Sequence, residues 1–443
     1  MNINISSFYF DEDLLGRQLG VPLSPKSRDL LRIAMHVYAA DRLTKWNRFI
    51  DADGPSRQMP VLTVPVSDPD FWTTTEVSSL LRRSVEFVTG DTWEFRFTIH
   101  RSLTQGQWWS TRDRNNEIVC LDSGGLDSVA GLANRLLEWN GSIFAVTARH
   151  QSGQRRVVRD IQLPLLRERF GNRISSIMVS TRLKNPPPMK HQELTQRSRS
   201  FLFAALGGVA AIELGVNTVE VYENGVGAIN LPPMTGMMFG GRATKSAHPE
   251  FFRRMGALLT ATSGERIEFV LPFRYKTKAE LVKRIANDEL LVRVAQESVS
   301  CVHYPSRVKG MQKQCGVCPG CIGRRQALII GGILESPATY LFDVFGRGQD
   351  VAGIPTSQLA HLKSIISQVE LLGCLPEARL LPLAVKVHLA GVLGRDEDHQ
   401  PAIQLLQRYR NEWRSLIEAG LQADRPWAQW HGPISSLSPG SVV

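Results

Sequence analysis

From residue 117 onward, short apolar runs alternate with longer stretches whose apolar positions recur every three or four residues. The runs at 117–121, 142–148, 176–180, 218–222 and 267–271 read as strands, and the stretches 127–139, 157–170, 195–214, 249–260 and 277–287 read as helices. Strand and helix in alternation predict an α/β fold, a doubly wound parallel sheet with helices on both faces. Sheets of this kind hold ligands beyond the carboxyl ends of their strands, so the loops after 121, 148, 180 and 222 are expected to line a site.

The pattern differs on either side. Residues 1–112 combine a helical stretch from Arg28 to Phe49, with Ser27 as its expected N-cap, and strand-like alternation at 59–66 and 93–101, which reads as a small N-terminal α+β domain. Residues 113–335 hold the sheet domain. Residues 336–443 read as a helical C-terminal region, with helices expected at 357–372, 380–393 and 401–419 before a Pro/Gly/Ser-rich tail.

Composition narrows the class. A chain of 443 residues, 43% hydrophobic and 21% charged, is long enough for two or three domains with real cores. No apolar run reaches the roughly 18 to 20 residues that cross a bilayer, and the first residues carry acids where a signal peptide is basic and apolar. The expectation is a cytoplasmic protein with no membrane partner. A net charge of +10 suits a nucleic acid, a nucleotide or an acidic protein, but the basic residues are spread along the chain, so charge alone does not choose among them. Four of the six cysteines fall between 301 and 321, which points to a metal and not to disulfides.

Candidate chemistry begins at the first strand's end, in Ser123-Gly124-Gly125-Leu126-Asp127-Ser128. Two glycines permit tight backbone geometry and close approach of phosphate oxygens to peptide N–H groups. The hydroxyls of Ser123 and Ser128 can donate to an anion, the following helix adds the field of its N-terminus, and Asp127 can hold magnesium against the phosphates. A capped helix after a glycine turn is the plainer reading of the same residue types. A specified string of this composition turns up by chance in about one chain in a thousand of this length, which favours the phosphate loop. Basic side chains would be needed to neutralise charge in the transition state; Arg155, Arg199 and Lys278 are the candidates.

Cys301, Cys315, Cys318 and Cys321 form a second constellation, in which the turns of CGVCPGC aim thiolates at one point. Structural zinc, closed and without catalytic duty, suits four thiolates; an iron–sulfur cluster or a redox pair are the other occupants such cysteines can serve. Cys120 and Cys374 read as buried thiols, and His248 and His303 as hydrogen-bonded structural residues.

The glycine string resembles the PP-loop signature SGGxDS of enzymes that cleave ATP between its α and β phosphates. Together with the cysteines it resembles the QueC family, 7-cyano-7-deazaguanine synthase. Gly153-Gln154-Arg155 is similar to that family's YGQRH segment, with Ser152 before it in place of tyrosine. Arg199 falls where the family has an arginine-asparagine pair, with Ser200 replacing the asparagine; 248–252 resembles RPEF, 276–282 resembles KTKAEIV, and Arg324 also matches. The likeness spans about 115–335. The added flanking regions and the 223–233 segment resemble the QueC-like proteins of bacterial anti-phage operons, the QatC branch in particular.

The resemblance implies a PP-loop ligase that uses ATP, Mg2+ and Zn2+. It would adenylylate 7-carboxy-7-deazaguanine, and ammonia or a protein amine would then capture the adenylate, with other proteins of the same defence operon as partners. Ser123, Asp127, Ser128, Arg199 and Lys278 would be catalytic; Ser123 to Ser128, Gln154 and Arg155 would hold ATP; and Glu223, Asn224 and Asn230 would meet the substrate. The family's substrate loop is replaced here by ENGVGAINLPP, which leaves the nucleophile and product open. Two other functions fit the same chain: a PP-loop tRNA-modifying enzyme, and a nucleotide-sensing scaffold without turnover.

Overall fold

The structure, a computed structural model, describes residues 12–44, 59–100, 117–149, 156–181, 184, 193, 197–229, 245–304, 306–308, 311–346, 354, 356–374 and 399–430. The first two segments contribute α1 (Glu12–Leu19), α2 (Pro25–Leu43), β1 (Leu62–Val66), α3 (Pro69–Thr73), α4 (Thr75–Thr89) and β2 (Phe95–Ile99). β1 and β2 pair in parallel, so the chain must cross between them, and α3 and α4 make that crossing. Helix α2 starts three residues before the sequence expectation. The hydroxyl of Ser24 caps it by accepting from the Ser27 N–H, with Pro25 in the first turn, while Ser27 itself is buried inside the helix.

Five parallel strands follow: β3 (Glu117–Leu121), β4 (Ser142–Arg149), β5 (Ile174–Ser180), β6 (Thr218–Val221) and β7 (Glu268–Val270), in the order β5-β4-β3-β6-β7. The chain runs outward from β3 to β5 and then returns to the other side of β3. The strand order therefore reverses between β3 and β6, and the loops after those two strands share the crevice where such sheets bind ligands.

Every β3 residue is buried, because helices cover both faces. Alternate β4 side chains enter opposite cores: Phe144, Val146 and Ala148 face one, Ile143 and Ala145 the other. The short α8 (Gly225–Ile229) follows β6. Helices α7 (Arg199–Leu214) and α9 (Pro249–Ser263) cover the first face, and α5 (Leu126–Glu138), α6 (Leu163–Phe170), α10 (Lys278–Ile285) and α11 (Glu289–Gln296) the second. A five-residue π-helical turn, Val158–Gln162, leads into α6.

The flanking regions share cores with the sheet domain. Leu30, Ile33, Trp72 and Val85 of the N-terminal segment belong to the same apolar cluster as α7 and α9. Polar ties reinforce the junction, with buried Arg197 paired to Asp91 at 2.9 Å and the Ser198 hydroxyl donating to Asp41 at 2.8 Å. On the other side, α12 (Pro319–Gly331) leads toward α13 (Thr356–Cys374) and α14 (His399–Gln422). Leu362, Ile366, Trp413 and Trp427 close around the four clustered cysteines as a third core. Cys120 is buried in β3, but Cys374 is exposed, because it ends α13 where the last turn reaches solvent. The expected helix at 380–393 lies outside the described residues.

Candidate active site

The loop after β3 is built by a short chain of hydroxyls and amides. Gly124 sits at φ +71°, the left-handed region open to glycine, and its N–H donates to the buried Asp122 carboxylate at 2.8 Å. Burial pushes the Asp122 carboxyl above its ordinary value, and the bonds from Gly124 and Thr147 act against that rise. The Ser123 and Ser128 hydroxyls lie 2.8 Å apart, and each also accepts from a loop N–H: Gly125 to Ser123 at 3.3 Å, and Ser123 to Ser128 at 3.2 Å.

Gly125 is the N-cap of α5 and has no side chain with which to cap it. The Leu126 N–H finds its acceptor instead in the Ser300 hydroxyl, at 3.2 Å. The Gly124 carbonyl accepts from Val299 N–H at 3.0 Å and from the buried Gln162 amide at 3.1 Å. A backbone held this way, at a helix N-terminus and with hydroxyls standing where an anion's oxygens would compete, is a cradle suited to phosphate.

Beside the loop, Asp127, Glu223, Asn224 and Lys278 form one polar group. The Lys278 ammonium lies 2.8 Å from Asp127 Oδ2, and the Asn224 amide donates to Asp127 Oδ1 at 2.9 Å and to Glu223 Oε1 at 3.0 Å. Asn224 in turn accepts from Gly227 N–H at 3.1 Å, which fixes the loop after β6. Lys278 opens α10, whose N-cap Thr277 and Glu280 exchange bonds as a capping box. A lysine in a first helical turn works against the helix field. Burial also works against its charge, but Asp127 and then Glu223 outweigh it and leave its pKa raised.

Glu223 behaves in the opposite sense. Burial first, and then the charge of Asp127, push its carboxyl up to about 8, so it holds its proton at neutral pH. An unfolded chain would release that proton near the ordinary 4.5. Between those two values the folded chain binds more protons than the unfolded one. The stability associated with this group is therefore full below the lower value and falls as pH rises toward the upper. Glu223→Gln is expected to flatten the fall in stability from about pH 5 to about pH 8, read from urea midpoints across that range. An unchanged slope would place the titration on another group.

The remaining candidates fall elsewhere. Arg199 opens α7 and stacks over Phe203, its centre 5.3 Å from the ring; burial lowers its pKa and Tyr38 opposes that shift. Gln154, Arg155 and Asn230 lie outside the described residues. His248 caps α9 by accepting from Glu250 N–H at 3.1 Å, while His303 is exposed.

The four cysteines are buried, and their sulfurs all lie within 4.8 Å of one another, Cys315 and Cys321 at 3.9 Å. Zinc–sulfur bonds of about 2.3 Å in a tetrahedron place sulfurs about 3.8 Å apart, so the arrangement fits a single ion. Cys315 N–H donates to Cys301 Sγ at 3.2 Å and Cys318 N–H to Cys315 Sγ at 3.4 Å, bonds that favour thiolate. An iron–sulfur cube, with each thiolate on a different iron, would need wider spacing.

This cluster and the glycine loop are neighbours. Val299 and Ser300, which grip the loop, directly precede Cys301. A Cβ on Gly320 would meet Ser300 O at 2.1 Å, so a glycine between two cysteines is what lets that segment sit there. Buried Arg324 holds it from the other side, donating to the carbonyls of Gln296 at 2.6 Å and Ala295 at 3.1 Å and pairing with Glu335 at 2.6 Å.

Sequence reasoning missed Ser300, Gln162 and the C-terminal contributors. Thr277 Oγ1 donates to Glu412 of α14, Gln326 donates to the same carboxylate at 3.3 Å, and Arg408 pairs with Glu280 at 3.0 Å. Nothing near Ser300 or Glu412 in the sequence marks either one, since Leu126, which Ser300 caps, and Thr277, which bonds Glu412, lie 174 and 135 residues away.

Comparison with known families bears on one part of this. The family model for queuosine biosynthesis protein QueC matches residues 246–331, about a fifth of the chain. That stretch is QueC-like, and it carries Lys278, Ser300 and all four cysteines. The glycine loop and Glu223 lie before it, and α13 and α14 after it. No curated protein matches the chain. Among the described residues, no helix is long and apolar enough to cross a membrane.

Proposed function

We propose that this chain is a PP-loop ligase that adenylylates the carboxylate of a 7-deazaguanine, 7-carboxy-7-deazaguanine, with release of pyrophosphate. A carboxylate oxygen attacks the α-phosphorus of ATP, and the bond to the bridging oxygen breaks, so pyrophosphate leaves. An amine nitrogen then attacks the acyl carbon, loses a proton, and displaces AMP. The observation that carries this reading is the juxtaposition, at the β3–β6 crevice, of the Ser123–Ser128 loop with Lys278 from the QueC-like stretch.

In this reading the loop amides and the Ser123 and Ser128 hydroxyls hold phosphate oxygens, and Lys278 passes from Asp127 to the phosphate as charge develops there. Asp127, released from the lysine, is the residue that would hold magnesium, which supplies charge neutralisation when bound. Cys301, Cys315, Cys318 and Cys321 would hold zinc in a purely structural role. Protonated Glu223 leaves one carboxylate, Asp127, facing one ammonium, Lys278.

Four cysteines are committed to one buried cluster, Cys120 is buried with its thiol pKa driven well up, and Cys374 lies at the far end of α13. The site thus offers no reactive thiol, which supports a ligase over a sulfur-inserting tRNA enzyme. Ammonia or a protein amine is the acceptor we propose. The QueC-like resemblance of the enlarged chain supports a place in a bacterial anti-phage operon, with that operon's other proteins as partners.

The test is pyrophosphate release by purified protein with ATP, magnesium and 7-carboxy-7-deazaguanine, with and without ammonia, following the base by mass spectrometry. Turnover that depends on the base supports the proposal. Pyrophosphate release indifferent to the base, or none in a preparation that binds ATP and contains metal, would overturn it.

A further inference from the structure

Lys278 also lines a cavity of about 270 Å³. No residue of the Ser123–Ser128 loop lines it. Glu223, Asn224 and Lys278 line it together with residues of α13 and α14. The cavity therefore meets the phosphate cradle at the Asp127–Lys278 pair without overlapping it. A second reactant seated there would present one end to the phosphates.

The lining indicates what that reactant would be. Tyr409 gives it aromatic surface, while Glu412, Gln326 and Ser364 give it polar groups. The Ser364 side chain is 2% exposed, and its hydroxyl has no hydrogen-bond partner, a cost that a ligand atom would remove. The Glu412 carboxyl, which burial pushes up to about 7, already accepts from Thr277 and Gln326; its ionised form has about four acceptor positions, and two remain for N–H donors.

We propose that this cavity seats the base of the substrate, a guanine-type heterocycle whose ring N–H and exocyclic amine donate to Glu412 while Ser364 bonds its edge. The base's own carboxylate would then face Lys278. The proposal rests on the adenylylation reading above and adds that the C-terminal helices, which lie outside the QueC-like stretch, carry the base specificity. An adenine-type ring presents an acceptor where guanine has the ring N–H, and a buried carboxylate facing it is left unpaired.

The experiment is calorimetric binding to the full chain, using 7-carboxy-7-deazaguanine, its 7-deazaadenine counterpart, and ATP, each alone. The guanine-type compound is expected to bind at least about 100-fold more tightly than the adenine-type one. Ser364→Phe, which fills the cavity, should remove base binding and leave ATP affinity within about twofold, while Ser364→Ala should weaken base binding about three- to tenfold. If Ser364→Phe is unfolded by circular dichroism, the Ser364→Ala comparison decides.

Unchanged base binding in the serine variants, loss of ATP affinity in its place, or equal affinity for the two bases would overturn the assignment. Base binding that these variants weaken, in a wild-type protein that releases no pyrophosphate, would support the cavity and sink the adenylylation reading. Pyrophosphate release with wild-type KM for the base in Ser364→Phe would do the reverse.

Discussion

Replacing Lys278 with methionine is expected to lower base-dependent pyrophosphate release by about 10²- to 10³-fold while leaving the protein folded. The lysine occupies a position that helix energetics disfavour, and the surrounding structure keeps it charged through Asp127 at 2.8 Å. Burial that would discharge an isolated lysine is thus overruled by the Asp127 carboxylate. A positive charge held in that way is available to a phosphate as soon as one arrives.

The stability cost of the same change should be modest. The pair is partly open to solvent, at 17% and 19% side-chain exposure, so Asp127 left alone can be hydrated. Methionine keeps most of the lysine's apolar stem, and the Thr277–Glu280 capping box that starts α10 does not involve residue 278's side chain. The comparison of kcat at saturating ATP with ATP affinity separates the roles: a large fall in kcat with little change in binding marks a transition-state contact. Wild-type kcat in Lys278→Met would remove this residue from the mechanism.

What the sequence made legible follows from how local each signal is. The β3 run, the glycine string and the start of α5 are contiguous, so strand, turn and helix could be read together, and α5 begins at Leu126 against an expected 127. The reversal of strand order that brings Asn224 to Asp127 is a property of the topology, and only the general rule for doubly wound sheets anticipated it. Glu223 and Asn224 were named because they follow a strand, whereas the upward shift of Glu223 needs the distances to Asp127 and Lys278.

Two features were out of reach for physical reasons. Ser300 is one serine among many in the chain, and its role as the cap of α5 exists only because the segment before Cys301 folds back over a helix 174 residues earlier. The C-terminal helices showed an ordinary amphipathic pattern, which reports a buried face but not what is buried against it. That face proves to include the cysteine cluster, through Leu362, Trp413 and Trp427, and a wall of the cavity, through Glu412. A region that reads as an appendage in sequence is part of the site in space.

Removing the metal should therefore act at a distance on nucleotide binding. With the cluster loaded, a divalent ion binds four thiolates and offsets half of their charge at the centre of a core that holds α13 and α14. Stripped of its ion, the cluster leaves four sulfurs within 4.8 Å with no cation between them, and either protonation or mutual repulsion must open the turn 315–321. Gly320 packs on the Ser300 carbonyl, so any opening there shifts the segment whose Val299 and Ser300 fix Gly124 and Leu126. Chelation, or Cys321→Ser, is expected to cost about 3 kcal/mol or more, which in a domain of roughly 150–250 residues corresponds to a fall in melting temperature of about 6–12 °C. ATP affinity should fall with it, by about tenfold if the Ser300 bond to the helix start is lost along with the register of the loop. Metal content by mass spectrometry, melting temperature and ATP titration on the same preparations would decide the matter. A metal-free protein that melts at the loaded temperature and binds ATP as tightly would show that the cysteine core stands without an ion and that the loop does not depend on it.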